Sequence, residues 1–135
     1  MEKIYSKIDG RLLHLINRKA EIIERTNIAP ENQFLQLASL GLSKGTTFKP
    51  HKHIWKVPQF KSMIAQESWV VITGRVKCMF YDIDDQPMGE WLLNPGDCSM
   101  TFEGGHTYEI MDDETLVYEY KTGPYTGIEN DKKFI

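Results

Sequence analysis

The chain has 135 residues, a formal net charge of -3, 41% apolar residues and 26% charged residues. These values are typical of one globular domain with a sizeable core. Charges of both signs are interspersed, so neither nucleic acid nor an anionic membrane is an expected partner. No secretory signal pattern opens the chain, and the longest apolar run, Trp69 to Ile72, is too short to span a bilayer. We therefore expect a cytoplasmic protein, with Cys78 and Cys98 as free thiols.

Residues 9–26 carry apolar side chains at helical spacing, with Lys, Arg and Glu on the other side. The apolar positions are Leu12, Leu13, Ile16, Ala20 and Ile23. This pattern predicts an amphipathic helix with Asp9 as its cap. Pro30 and its polar neighbours end the pattern. We accordingly assign residues 1–32 to an N-terminal helical extension.

From Gln33 onward, short runs rich in Val, Ile, Phe, Tyr and Thr alternate with turn signals. The predicted strands are 33–40, 45–53, 67–73, 75–83, 88–93, 98–103, 106–111 and 115–121. Short strands at this regular spacing favour an all-β sandwich or barrel over residues 33–121. No helical period interrupts them, which argues against parallel βαβ architecture. The tail, residues 122–135, carries apolar side chains and is expected to pack on the barrel or on a partner subunit.

Side chains two residues apart in a strand point to the same face. On this rule three predicted strands present groups of polar and aromatic side chains: Lys49 with His51 and His53, Glu67 with Trp69, and His106 with Tyr108. If these faces line one cavity, three imidazoles and one carboxylate converge. Such a set suits Fe, Mn, Ni, Cu or Zn.

The spacing of these residues resembles the first motif of the cupin superfamily. In that motif a glycine is followed after five residues by His-x-His, and a glutamate precedes a second glycine by six residues. Gly45, His51 and His53 match the first half, and Glu67 and Gly74 match the second half. The likeness covers about residues 33 to 121.

The second cupin motif is matched in part. Gly96 begins it, Phe102 stands where the family has a proline, and one residue instead of two separates Gly104 from His106. The resemblance implies a double-stranded β-helix, or jelly roll, and a homodimer. It also implies a catalytic metal site made by His51, His53, Glu67 and His106 that holds one divalent transition metal.

Thirteen residues, Ile54 to Gln66, separate His53 from Glu67, where the family usually has three or four. They form an inserted loop or hairpin, which we expect near the mouth of the cavity. Gln66 competes with Glu67 as a ligand, because a one-residue register shift exchanges their faces. The spacing to Gly74 and the better ligand properties of a carboxylate favour Glu67.

The resemblance implies an enzyme of carbohydrate metabolism that acts on a small polyoxygenated, sugar-like molecule. The metal would be a Lewis acid for isomerisation or for oxygen-dependent chemistry. Lys49, Trp69, Tyr108 and Tyr118 are the expected substrate contacts, whereas His14 is expected to have no chemical role. One alternative is a metal-free sugar-nucleotide isomerase or epimerase that uses the histidines as acid and base. The other is a non-catalytic cupin that binds a small ligand.

Overall fold

The computed structural model describes residues 1–55, 57 and 62–135, and nearly all of their regular structure is β-strand. The strands are β1 Glu2–Tyr5, β2 Leu12–Asn17, β3 Thr26–Asn27, β4 Ala38–Ser39, β5 Glu67–Thr73, β6 Val76–Tyr81, β7 Pro87–Leu93, β8 Cys98–Thr101, β9 Gly105–Ile110 and β10 Leu116–Lys121. Helical structure in this part of the chain consists of 3₁₀ turns at Lys19–Glu21 and Ile128–Asn130. None of these described helices is long and apolar enough to cross a membrane. The all-β prediction is confirmed.

The strands pair antiparallel in a five-stranded sheet of order β1-β2-β8-β5-β10 and a three-stranded sheet of order β7-β6-β9, with a separate β3–β4 pair. In β6, Val76, Cys78 and Phe80 are buried and alternate with partly exposed residues. This period of two is expected of a strand with one face on a core. The largest core cluster draws on both sheets: Ile16, Val71, Val76, Cys78, Phe80 and Leu93. The two sheets therefore pack face to face.

The predicted helix over residues 9–26 is wrong. Leu12–Asn17 is a strand that pairs with β1 on one side and with β8 on the other. All but the first of its residues are buried, and a short apolar run buried on both faces cannot be told from a helix by periodicity alone. Asp9 caps no helix, because its carboxylate accepts a hydrogen bond from the Arg11 N–H in the turn before β2. The expected helical extension thus supplies two strands of the main sheet.

Downstream of residue 66, every predicted strand is confirmed, with boundaries that shift by at most two residues. Upstream, only Ala38–Ser39 of the predicted strand 33–40 is extended and paired, and no part of 45–53 is a strand. Every residue from 42 to 55 is exposed. A strand needs a neighbour for its hydrogen bonds, and Pro50 removes one donor from the segment. The segment 42–55 therefore crosses the surface as irregular chain.

Both cysteines are free and buried, which confirms that prediction. Burial raises the pKa of Cys78 to about 12 and the pKa of Cys98 to about 11. The thiolate is the reactive form of cysteine. Both side chains therefore act as small core residues rather than as nucleophiles at neutral pH.

Candidate functional site

A cavity of about 680 Å³ opens where β5 and β9 begin. Strands of both sheets form its wall, and the C-terminal residues 131–135 close part of it. The strand residues that carry its chemistry are Glu67, Trp69, Thr101, His106, Tyr108 and Glu119. Ile64 and Ala65, at the end of the insertion 54–66, also line it. Small-molecule sites commonly measure about 300–1,000 Å³, so the cavity has room for a sugar-sized ligand.

Glu67 and His106 meet in this wall. The Glu67 Oε1 atom lies 3.2 Å from His106 Nε2 and accepts a second hydrogen bond from Trp69 Nε1–H at 2.9 Å. An ionised carboxylate only accepts hydrogen bonds, so the Nε2 atom of His106 carries the proton. The first residue of β5 and the second residue of β9 thus form an oriented Glu–His pair.

The Glu67 carboxylate remains ionised at neutral pH. Burial alone would raise its pKa, but the hydrogen bonds from His106 and Trp69 and the charge of Lys132 hold it below its ordinary value. Both hydrogen bonds go to Oε1, and no residue in the described part of the chain bonds Oε2. Oε2 is therefore the carboxylate oxygen that remains available to a ligand.

The second nitrogen of His106, Nδ1, is buried and has no hydrogen-bond partner among the described residues. A buried N–H without a partner is rarer and costlier than an under-used acceptor. The tautomer with its proton on Nε2 donates to Glu67 and leaves only a lone pair on the buried Nδ1 atom. We infer this tautomer for His106.

An aromatic wall stands beside the pair. The rings of Trp69 and Tyr108 are stacked, with centroids 4.0 Å apart and an interplanar angle of 12°. The Tyr108 hydroxyl lies 3.0 Å from the Ser99 Oγ atom, and burial raises the pKa of this phenol. Tyr108 therefore stays protonated, and its ring is fixed by stacking and by a hydrogen bond. Such a rigid apolar surface suits contact with the face of a sugar ring.

His14 lies directly behind the cavity wall. Its ring stacks on Phe80 with centroids 4.2 Å apart. Nε2–H donates to the Tyr81 carbonyl oxygen at 3.2 Å, and the Thr101 hydroxyl donates to Nδ1 at 3.1 Å. Tyr81 and Thr101 line the cavity, whereas His14 does not. A structural role agrees with the expectation that His14 has no chemical one.

The structure separates the four predicted metal ligands into two pairs. His51 and His53 lie on the exposed irregular segment, with ring centroids 5.5 Å apart, and His51 Nδ1–H donates to the Lys49 carbonyl. Within residues 1–55, 57 and 62–135, no group of three or more His, Cys, Asp or Glu side chains is placed to hold a metal ion. The four-residue centre is not assembled here, because 45–53 does not pair as a strand, and it stays a prediction.

Trp69 and Tyr108 line the cavity, but the other two expected substrate contacts do not. Lys49 lies on the exposed segment. Tyr118 is 61% exposed, and its neighbour in β10, Glu119, lines the cavity instead. Successive residues of a strand point to opposite faces, so Tyr118 faces outward.

Of the two competing residues at the start of β5, Glu67 is the one in the cavity. The Gln66 side chain turns away, accepting a hydrogen bond from the Leu35 N–H at 2.9 Å and donating one to Gln33 Oε1 at 2.7 Å. Lys56 and residues 58–61 of the insertion lie outside the described residues.

Sequence reasoning missed Glu119 and the lysines of the tail. Glu119 lies opposite Trp69 in the β10–β5 register, so strand parity combined with the correct pairing would have found it. Lys132 and Lys133 reach the cavity through the return of the C-terminal chain, for which no local pattern exists.

No protein-family model matches the chain, and no curated protein or solved structure matches it significantly. Fold and site together define an all-β protein in which a five-stranded and a three-stranded antiparallel sheet pack together and β3 and β4 form a separate pair. Its cavity has the size of a small-molecule site and carries an oriented Glu–His pair beside stacked aromatic rings.

Proposed function

We propose that the cavity binds a small polyoxygenated, sugar-like molecule and that Glu67 accepts a proton from it. The observation that carries this proposal is the Glu67 carboxylate, which two hydrogen bonds fix through one oxygen while the other oxygen stays free at a cavity of about 680 Å³. An oriented carboxylate in a partly dry site is the arrangement used for proton abstraction next to a carbonyl group.

The roles of the residues follow from their contacts. Glu67 is unprotonated at neutral pH, so its free oxygen is ready to accept a proton or a ligand hydroxyl group. His106 and Trp69 orient the carboxylate by donating hydrogen bonds to it. The hydrogen bond from His106 Nε2–H is strongest while Glu67 is ionised and weakens when Glu67 takes up a proton. In isomerisation, the proton that Glu67 takes from carbon returns to the neighbouring carbon of the enediolate, and the hydroxyl proton moves to the former carbonyl oxygen. In epimerisation, a solvent proton is added to the opposite face of the original carbon, and Glu67 releases its proton to solvent. Either cycle is balanced and needs no oxidant.

The proposal also retains the cupin-like jelly roll that the motif spacing suggests. Two antiparallel sheets around a cavity support that reading, and so does the position of Glu67 and His106 at its wall. Within a cupin-like fold, the activity that we propose for this site is that of a metal-free isomerase or epimerase.

Deuterium exchange tests the proposal. The protein is incubated in D₂O with a panel of free aldoses and ketoses and of nucleoside diphosphate sugars that carry a keto group. Deuterium at the carbon beside the carbonyl group is followed by NMR. We expect incorporation with the wild type and a loss of about 100-fold or more with Glu67→Gln. Glu90→Gln, an exposed site on β7, serves as the matched control and should be unchanged.

Two results would contradict the proposal. The first is a Glu67→Gln variant as active as the wild type. The second is a sugar that binds in the cavity and emerges without deuterium under all conditions, which would indicate a non-catalytic binding protein instead.

A metal centre is the second candidate, and one observation favours it. Glu67 Oε1 and His106 Nε2 are 3.2 Å apart, close to the roughly 3 Å between neighbouring ligands whose bonds to one ion are about 2.0–2.2 Å long. A divalent transition metal bound there would supply Lewis-acid chemistry. Glu67 and His106 are close enough to share an ion, but binding through Nε2 would move the His106 proton to the buried Nδ1 atom. His51 and His53 lie on the exposed segment. A site with all four ligands would require residues 45–53 to move to the cavity wall that carries Glu67 and His106.

Elemental analysis of untagged protein tests the metal centre. A four-ligand site predicts stoichiometric metal that is lost in the double variant His51→Gln/His53→Gln and also in Glu67→Gln. Histidine ligands must be neutral to bind a metal ion, so metal content should fall in acid. Full metal content in the His51→Gln/His53→Gln variant would rule out the four-ligand site.

A further inference from the structure

The lysines that line the cavity and most of its carboxylates come from different parts of the chain. Among the described residues, the sheets and their connections contribute three carboxylates, Glu67, Glu103 and Glu119. Both ammonium groups, Lys132 and Lys133, belong to the last four residues. Asp131 of the C-terminal segment is a further carboxylate of the lining. It is paired with Lys121, and Glu103 is paired with Arg11. The C-terminal segment therefore brings the positive charge to an acidic cavity.

Two contacts seat this C-terminal segment. Asp131 Oδ2 lies 2.7 Å from Lys121 Nζ, with both side chains largely buried. At the other end, a Cβ atom added to Gly105 would lie only 2.8 Å from Ile135 Cδ1. The tip of the Ile135 side chain therefore touches β9 at Gly105, while the rest of that side chain is exposed. The segment Asp131–Ile135 is held by an ion pair at Asp131 and touches β9 at Ile135.

Lys132 and Glu67 line the same cavity. The charge of Lys132 acts on Glu67 and is one of the interactions that lower the pKa of that carboxylate. Lys132, Lys133, Phe134 and Ile135 are all exposed, so displacement of the segment uncovers little apolar surface. A cavity of about 680 Å³ is far larger than a metal ion needs, and the stacked rings of its wall suit a ring-shaped ligand.

We propose that Asp131–Ile135 is an internal ligand of the cavity and that the external ligand competing with it is an amine-bearing polyol of the amino-sugar class. The inference rests on the proposed function, because it names the substrate class of the same site. The ammonium group of the ligand would replace Lys132 near Glu67, and its hydroxyl groups would meet the remaining polar wall.

If the C-terminal segment competes with the ligand, removal of the Lys132 charge should tighten ligand binding rather than weaken it. Glucosamine, glucose and glucose 6-phosphate are titrated into the full chain, and binding is followed by the Trp69 indole N–H signal in NMR. Glucosamine should bind at least about fivefold more tightly than glucose, because charge-assisted hydrogen bonds are roughly twice as strong as neutral ones. Lys132→Met should tighten glucosamine binding about three- to tenfold, since an internal competitor reduces the fraction of binding-competent protein.

A second variant and a control make the test robust. Lys121→Met removes the anchor of Asp131 and should also tighten glucosamine binding. Lys3→Met, an exposed site on β1, should leave it unchanged. Weaker glucosamine binding in Lys132→Met would overturn the inference, as would a preference of the wild type for glucose 6-phosphate, because Lys132 would then recognise anions. Absence of glucosamine binding in every variant would also overturn it.

The inference and the proposed function fail in different ways. Deuterium exchange into neutral sugars without any preference for glucosamine removes the inference and leaves the proposed function standing. Glucosamine binding that survives Glu67→Gln removes the role of Glu67, on which both depend.

Discussion

Mild acidification should destabilise the protein through one residue, His14. Both nitrogens of this fully buried ring are engaged, with Nε2–H donating to the Tyr81 carbonyl oxygen and Nδ1 accepting from the Thr101 hydroxyl. Burial lowers the pKa of His14 from 6.5 to about 4, although the hydrogen bond to Tyr81 opposes the shift. A second ring proton would lie at Nδ1 and would displace the hydroxyl proton of Thr101.

The size of the effect follows from linkage between proton binding and folding. The unfolded chain protonates His14 below about pH 6.5, whereas the folded chain does so only below about pH 4. The unfolded state therefore binds more protons between these values, so the stability contributed by neutral His14 is complete above pH 6.5 and is lost as the pH falls towards 4. At pH 4.5 the loss relative to pH 7 amounts to about 2 kcal/mol.

Urea unfolding of the wild type and of His14→Gln at pH 7 and pH 4.5 measures this loss. The variant cannot titrate at position 14, so the wild type should lose about 2 kcal/mol more than the variant between the two pH values. Contributions from other groups are common to both proteins and cancel in the difference. Equal losses in the two proteins would refute the reasoning, whatever their absolute stabilities.

Two further substitutions test individual contacts, one at Asp97, which does not line the cavity, and one at Trp69, which does. Asp97→Asn should cost about 1–3 kcal/mol of unfolding free energy in urea, because this buried carboxylate accepts hydrogen bonds from the Lys19 N–H and the Arg18 guanidinium; a loss below about 0.5 kcal/mol would contradict the stated role of these bonds. Trp69→Phe keeps an aromatic ring but removes the N–H donor to Glu67, so the pKa of Glu67 should rise in a carbon-13 NMR titration. An unchanged pKa would show that this hydrogen bond does not form in solution.

The strands from residue 67 onward could be predicted because their signals are local. β6 alternates buried and partly exposed residues, and Gly74, with a φ of +71°, supplies the left-handed turn before it. β2 could not be identified in this way, because its apolar run LLHLIN fits a helix face as well as a doubly buried strand. Its pairing with β8, more than eighty residues away, decides between the two.

The candidate site was predictable only where the strand assignment was correct. Parity placed Glu67, Trp69, His106 and Tyr108 together, and the structure brings these four to one cavity. The same rule applied to 45–53 does not place its histidines there, since parity has meaning only in a strand that has a pairing partner. The lysines of the tail depend on the path of the whole C-terminal chain, which no short pattern encodes.

The contact between Glu67 and His106 is the central claim, and nitrogen-15 NMR of the His106 ring tests it most directly. The structure predicts a proton on Nε2 and a lone pair on Nδ1, and a change in the Nε2 signal in Glu67→Gln. A ring that shows a mixture of both tautomers, with spectra identical in the wild type and in Glu67→Gln, would contradict the account.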